Sequence, residues 1–174
     1  MMRRSDRASC GMTLPELLLA VVVLGLMVAV GVGGSSRSLA RQRVEAAARQ
    51  LAVGLEQARS SAEASGRPCA LALATSGWGD PGAAAAGSQL PGCQLSEATL
   101  RQGVQLRHNL PGELRISSTG LVLDGGTIVL AAAGTDLQRC LVVSLPLGVV
   151  RFGQSKAGPA AAPRSADCVV DPLL

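Results

Sequence analysis

A chain of 174 residues suffices for one folded domain and an anchoring segment and is short for two full domains. Trp78 and Phe152 are its only aromatics and Tyr is absent, which excludes nucleic-acid binding by base stacking. The formal charge of +4 is too mild to argue for a nucleic-acid partner by itself: once the first eleven residues (Arg3, Arg4 and Arg7 against Asp6) are set aside, 13 basic and 11 acidic residues remain.

Hydrophobic residues make up 48% of the chain and charged residues 16%, and the apolar excess is concentrated between Leu17 and Val32, where no charge occurs. The order of features around this run is informative. An ordinary secretory signal places small residues and its cleavage site after the apolar stretch; here a basic leader, Gly11 and a polar turn precede it. Cys10 also lies ahead of the run, which is the wrong side for a lipoprotein signal, and Arg3-Arg4 lacks the rest of a twin-arginine signal. Thr13 and Glu16 form a T-x-x-E pattern suited to a helix start, with Pro15 in the first turn, where its missing N–H costs little. The run is close to the ~20 residues that a bilayer crossing needs. The basic leader would remain cytoplasmic by the positive-inside rule and send the C-terminal part outward.

Gly11-Met12-Thr13-Leu14, then Glu16 and the apolar run, resembles the type IV prepilin signal, with Met12 where Phe is more usual and Pro15 in the variable place. The resemblance implies cleavage between Gly11 and Met12 by a prepilin peptidase and N-methylation of Met12. It also implies assembly through Glu16 and Thr13, with the Glu16 carboxylate paired to the N-terminal amine of a neighbouring subunit. A carboxylate beside a membrane segment is costly unless it is paired. Gly25, Gly31, Gly33 and Gly34 interrupt the stretch and suit either close helix packing or local unwinding.

From Val44 the apolar positions Val44, Ala48, Leu51, Leu55, Ala58 and Ala62 recur at helical spacing, so the helix continues with one buried face. Arg43, Glu45, Arg49, Glu56, Arg59 and Glu63 fall elsewhere, read as a solvated face with a Glu45–Arg49 pair. Gly66 and Pro68 end the helix. Short strand-like runs follow: Cys69–Thr75, Val104–His108, Glu113–Ser117, Leu121–Leu123, Thr127–Ala132, Arg139–Ser144 and Gly148–Phe152, with Asp124-Gly125-Gly126 read as a hairpin turn. Trp78 falls in a Gly-rich loop and reads as a core anchor. The expected class is α+β, with a long N-terminal helix, first transmembrane and then amphipathic, on a small antiparallel sheet or sandwich. The divisions are 1–11 leader, 12–34 transmembrane and assembly helix, 35–66 amphipathic continuation, 67–154 β-rich head and 155–174 irregular tail.

Four cysteines lie beyond the leader, too widely spaced for a paired CxxC zinc site. In an exported head they read as two disulfides. Three pairings exist; Cys69–Cys93 with Cys140–Cys168 is favoured because each closes a short loop around an irregular segment. His108, the sole histidine, alternates with Val104 and Leu106 and reads as a strand residue at a sheet edge. Asp80, Asp124 and Asp136 lack EF-hand spacing, and no catalytic constellation is present. No enzyme activity, metal or cofactor is expected.

The stretches Ile116–Gly120, Gly126–Leu130, Arg139–Ser144 and Gly148–Arg151 resemble the minor-pseudopilin family GspH/FimT, with Val149 where that family carries the first Arg of a Gly-Arg-x-Arg ending. Together with the prepilin signal, this implies a pilin fold and a minor subunit that assembles into or primes a type IV pilus or a type II secretion pseudopilus. Its partners would be other pilin subunits, the prepilin peptidase and the bacterial inner membrane. The alternative is a pilus-borne DNA receptor, with Arg151, Lys156 and Arg164 as candidate contacts.

Overall fold

A computed structural model describes residues 13–81, 90–95, 100, 102–158 and 160–170, with backbone only for 29–35. The chain divides into two compact units, Met1–Ser36 and Arg37–Leu174, and the helix α1 (Leu14–Ser65) contributes to both.

Within the first unit, α1 presents apolar side chains all round. Every described side chain from Thr13 to Val28 is exposed, Leu14 at 76% and Met27 at 71% among them. Among the described residues no helix is long and apolar enough to cross a membrane.

In the second unit, α1 is amphipathic. Val44, Ala47, Ala48, Leu51, Leu55, Ala58 and Ala62 are buried in one cluster. Alanine at four of these seven positions keeps the helix axis close to the strands, while Leu51 and Leu55 each contribute about 2 kcal/mol of burial. The helix stops at Ser65 because Gly66 turns left-handed (φ +61°), and its N–H donates to the Glu63 carbonyl at 3.2 Å.

Two antiparallel sheets line the same core. The first has the order β2 (Gly77–Gly79), β1 (Cys69–Ala74), β4 (Leu114–Ile116). The second has the order β3 (Val104–His108), β5 (Gly126–Ala132), β6 (Arg139–Ser144), β7 (Val149–Ser155), β8 (Cys168–Val170). The expected α+β class holds, with Leu71, Leu114 and Ile116 from one sheet and Ile128, Leu130, Leu141 and Val143 from the other meeting the helix. His108 closes the edge strand β3, and its Nδ1 is buried with no hydrogen-bond partner.

β5 and β6 are buried on both faces. Ile128, Leu130, Leu141 and Val143 point to the helix, yet Val129, Cys140 and Val142, on the opposite face by strand alternation, are also buried. The C-terminal tail reaches across that face: Arg107 on β3 donates to the Ala161 carbonyl at 2.6 Å, although the tail departs from β7, three strands away.

Four expectations need correction. The tail is not irregular throughout. A 3-10 turn at Ser165–Asp167 leads into β8, which pairs with β7 through Gly153↔Val170, Gln154↔Val169 and Ser155↔Cys168. Two adjacent valines carry no legible strand pattern; tertiary contacts define this strand. Asp124-Gly125-Gly126 is not a hairpin turn. Residues 121–123 return along β4 instead, bridging Ile116 to Val122, with the chain reversing at Ser117–Gly120, where Gly120 has φ +71°. Trp78 lies on β2, paired with Leu73, and not in a loop. Its indole still anchors the core, because Nε1 donates to the Leu51 carbonyl at 2.7 Å. Glu45 does not belong to a solvated face paired with Arg49, as shown next.

Candidate assembly elements and head

The cleavage and methylation positions Gly11 and Met12 lie outside the described residues. Immediately after them, the Thr13 carbonyl accepts the Leu17 N–H at 3.1 Å, so Thr13 stands at the cap of α1. Glu16 falls in the first turn, exposed, where a negative charge opposes the positive end of the helix dipole. The apolar run that follows has no covering partner within its own unit, as its exposure shows.

Gly25 sharpens this. A glycine inside a helix costs about 1 kcal/mol relative to alanine. A Cβ at Gly25 would meet nothing within 4 Å, so no close approach within the described chain requires it.

In the head, the ionic connection between helix and sheet is Glu45–Arg139. Arg139 begins β6 with its side chain 5% exposed, and its Nε donates to Glu45 Oε1 at 2.8 Å. Burying a guanidinium without a counter-charge would be costly, so the pair couples helix placement to sheet placement. Farther along α1, Arg59 Nε donates to the Gly120 carbonyl at 2.9 Å and Nη1 bonds Glu56 at 2.8 Å. These contacts were not legible in the helical spacing, which marks a residue as off the apolar face without saying what it meets there.

The cysteines are joined as Cys69–Cys93 and Cys140–Cys168, with Cα separations of 5.0 and 5.8 Å. The second bond explains how β8 sits. Cys140 is on β6 and Cys168 on β8, with β7 between them. A flat sheet would hold those two strands about 9.5 Å apart. At 5.8 Å, β8 must fold over the sheet face. Gly153 on β7 makes this feasible, since a Cβ there would lie 2.5 Å from the Val169 carbonyl and 2.9 Å from Cys168 Sγ.

Arg115 and Asp124 form a two-pronged pair at 2.8 and 2.9 Å, and the Arg115 backbone N–H adds a third bond to the carboxylate at 3.0 Å. The guanidinium hydrogen bonds hold the Asp124 carboxyl below its ordinary value. This ion pair fixes the strand-to-sheet crossing that was expected to be a hairpin.

Arg151, Lys156 and Arg164 are all exposed: Arg151 on β7, Lys156 just past it, and Arg164 ahead of the 3-10 turn. Arg139, the remaining base near this end, is withdrawn into the pair with Glu45. Among the described residues no group of three or more His, Cys, Asp or Glu could hold a metal ion. Leu121, Leu123, Leu145, Leu147 and Val149 are exposed on the head, and the Val122 N–H bond to the Pro146 carbonyl brings their two segments together.

A long N-terminal helix, apolar and exposed through Val28 and packed on antiparallel sheets from Ala40 onward, is consistent with a pilin fold. Residues 47–146 match the family described as type II transport protein GspH, more than half of the chain. The protein belongs to the GspH family, whose members are pseudopilins or minor pilins. The chain has no match among curated proteins and none among solved structures.

Proposed function

We propose that the chain is made as a precursor, cut between Gly11 and Met12 by a prepilin peptidase, and methylated on the new Met12 amine. Residues 12–34 then hold it in the bacterial inner membrane, with the head outside the cytoplasm, until it enters a type IV pilus or type II secretion pseudopilus as a minor subunit beside other pilins. The observation that carries this reading is the exposed apolar helix directly behind a Gly-Met-Thr-Leu-Pro-Glu start, joined to a head of the GspH family. Gly25 fits it, because a gap with no occupant in its own chain suits the close approach of a neighbouring helix. The exposure of Glu16 at the helix start supports the proposed pairing with a neighbour's amine. The order of the signal, with the cut ahead of the apolar run, supports the orientation. The positive-inside expectation drawn from the basic leader alone needs correction, since Arg3, Arg4 and Arg7 on one side are matched by Arg37, Arg41, Arg43 and Arg49 on the other.

Mass spectrometry of membrane-extracted protein tests this directly. The expected chain begins at methylated Met12, and Gly11→Val leaves the precursor uncut. Glu16→Val is processed and inserted but scarcely recovered in sheared filaments. A mature N-terminus after Gly34 would overturn the reading in favour of an ordinary signal peptide.

A further inference from the structure

Strand β7 pairs with β6 from Val149↔Ser144 to Gln154↔Arg139, but with β8 only over Gly153, Gln154 and Ser155. Along a paired strand the backbone groups of successive residues turn alternately to one neighbour and the other. The phase is fixed by two bonds: the Ser155 N–H donates to the Gln138 carbonyl on the β6 side at 2.9 Å, and the Lys156 N–H to the Asp167 carbonyl on the β8 side at 3.0 Å. Counting back in twos from Lys156, it is Gln154, Phe152 and Val150 that turn their N–H and C=O toward the β8 side. Gln154 meets Val169 there. Among the described residues nothing pairs with Phe152 or Val150 on that side. Both side chains nevertheless pack against the core, so the open edge belongs to a strand that is held in place.

We infer that the β7 edge from Val149 to Phe152 is a strand-acceptor site and that its occupant is residues 171–174 of the same chain, which lie outside the described residues. The ladder assigns the places. With Val170 opposite Gly153, Asp171 falls opposite Phe152, Pro172 opposite Arg151, Leu173 opposite Val150 and Leu174 opposite Val149. The proline tests the phase. Within a ladder it is tolerated only where its missing N–H would have pointed away from the neighbouring strand. Pro172 falls opposite Arg151, whose backbone groups are turned to β6, so the two places that need a donor are taken by Asp171 and Leu173. A shift of one residue would put the proline where a donor is required. The side chains agree with this register, because directly opposite residues share a face. Leu173 joins Val150 at the flank of the core, and Leu174 joins Val149, which is 51% exposed. A strand from another chain would have to bring the same phase without a link to hold it near, whereas residues tethered at Val170 meet the edge at high effective concentration. Once filled, the edge is closed to pairing with other chains.

Hydrogen exchange on the full chain in detergent micelles, resolved to single amides, tests this beside a variant that stops after Val170. The Val150 and Phe152 amides are expected to exchange roughly tenfold more slowly in the full chain. The Arg151 and Gly153 amides, which face β6, should exchange alike in both, and a general loosening of the head would show there. Leu173→Pro removes a donor at a bonded place and should speed Val150 exchange as the shortened chain does. Pro172→Ala should leave it slow. Rapid exchange of Val150 and Phe152 in the full chain overturns the inference. So does slow exchange that survives both the shortening and Leu173→Pro, which would assign the edge to a strand of another copy and be lost on dilution. Equal acceleration at Arg151 and Gly153 also overturns it and reduces residues 171–174 to a general stabiliser of the head.

Discussion

One helix serves two regions with opposite logic. Up to Val28 its leucines and valines are exposed on every side, while from Val44 the same residue types repeat every third or fourth position and are buried. Amphipathicity makes the difference. A helix with one apolar stripe is completed by its own sheets, and a helix apolar all round has to be completed by something outside the chain. The first region leaves its apolar surface uncovered and the second buries it, so identical substitutions in the two should have different consequences.

The largest contrast is expected between Leu55→Ala and Leu19→Ala. Leu55 is 1% exposed, and its truncation should cost the head about 3 kcal/mol in a urea titration. Leu19 is 68% exposed, and its truncation should leave head stability within about 0.5 kcal/mol while reducing recovery in filaments. Equal losses of stability in both would erase the distinction between the two regions.

The next contrast lies within the second region. Glu45→Ala removes the carboxylate that Arg139 holds in the interior and should cost about 2.5 kcal/mol, somewhat below a fully buried pair because Glu45 is 24% exposed. Arg49→Ala, one turn farther on and exposed, should stay within about 0.5 kcal/mol. Matching values would mean that the ionic connection between helix and sheet carries no weight.

Gly54→Ala tests how closely the helix lies on the first sheet. The added Cβ would stand 2.6 Å from Trp78 Cδ1, so the indole must move and its bond to the Leu51 carbonyl must lengthen. About 2 kcal/mol of destabilisation is expected, with a red shift in the emission of this sole tryptophan. Unchanged fluorescence would show that the contact yields freely.

The smallest effect concerns pH. Asp124 is held below its ordinary value by Arg115, so this pair contributes stability above the unfolded carboxyl value of about 3.9. That contribution falls away as pH drops through the lower folded value. Asp124→Asn should therefore flatten the acid limb of the stability profile and leave the slope near neutrality unchanged. A parallel acid limb in the variant would remove Asp124 from the account.

The two regions also differ in how much their sequences disclose. Period alone revealed the buried helix face, the boundaries of β3 follow from the alternation of Val104, Leu106 and His108, and those of β6 from an aliphatic run between turn formers. The ends of the fold were harder. β8 depends on Gly153 being small and on Cys140 lying within reach, which are facts about distant residues. Glu45 looked like any solvated acid, because its partner Arg139 is 94 positions away. The Asp124-Gly-Gly segment has good turn chemistry, yet Arg115 draws it alongside β4. In the first region the apolar run and the prepilin-like start are local patterns, easy to read.

The two disulfides also bear on mechanical extension. If a filament pulls on this subunit between its helix and its C-terminal strand, the segments enclosed by Cys69–Cys93 and Cys140–Cys168 cannot lengthen, even if every strand lets go. Those bonds span 24 and 28 positions, withholding about 80 Å and 95 Å of contour from the stretched chain. The head is consequently a short tether under load: it can lose its sheets and still transmit force through a path that remains covalently abbreviated.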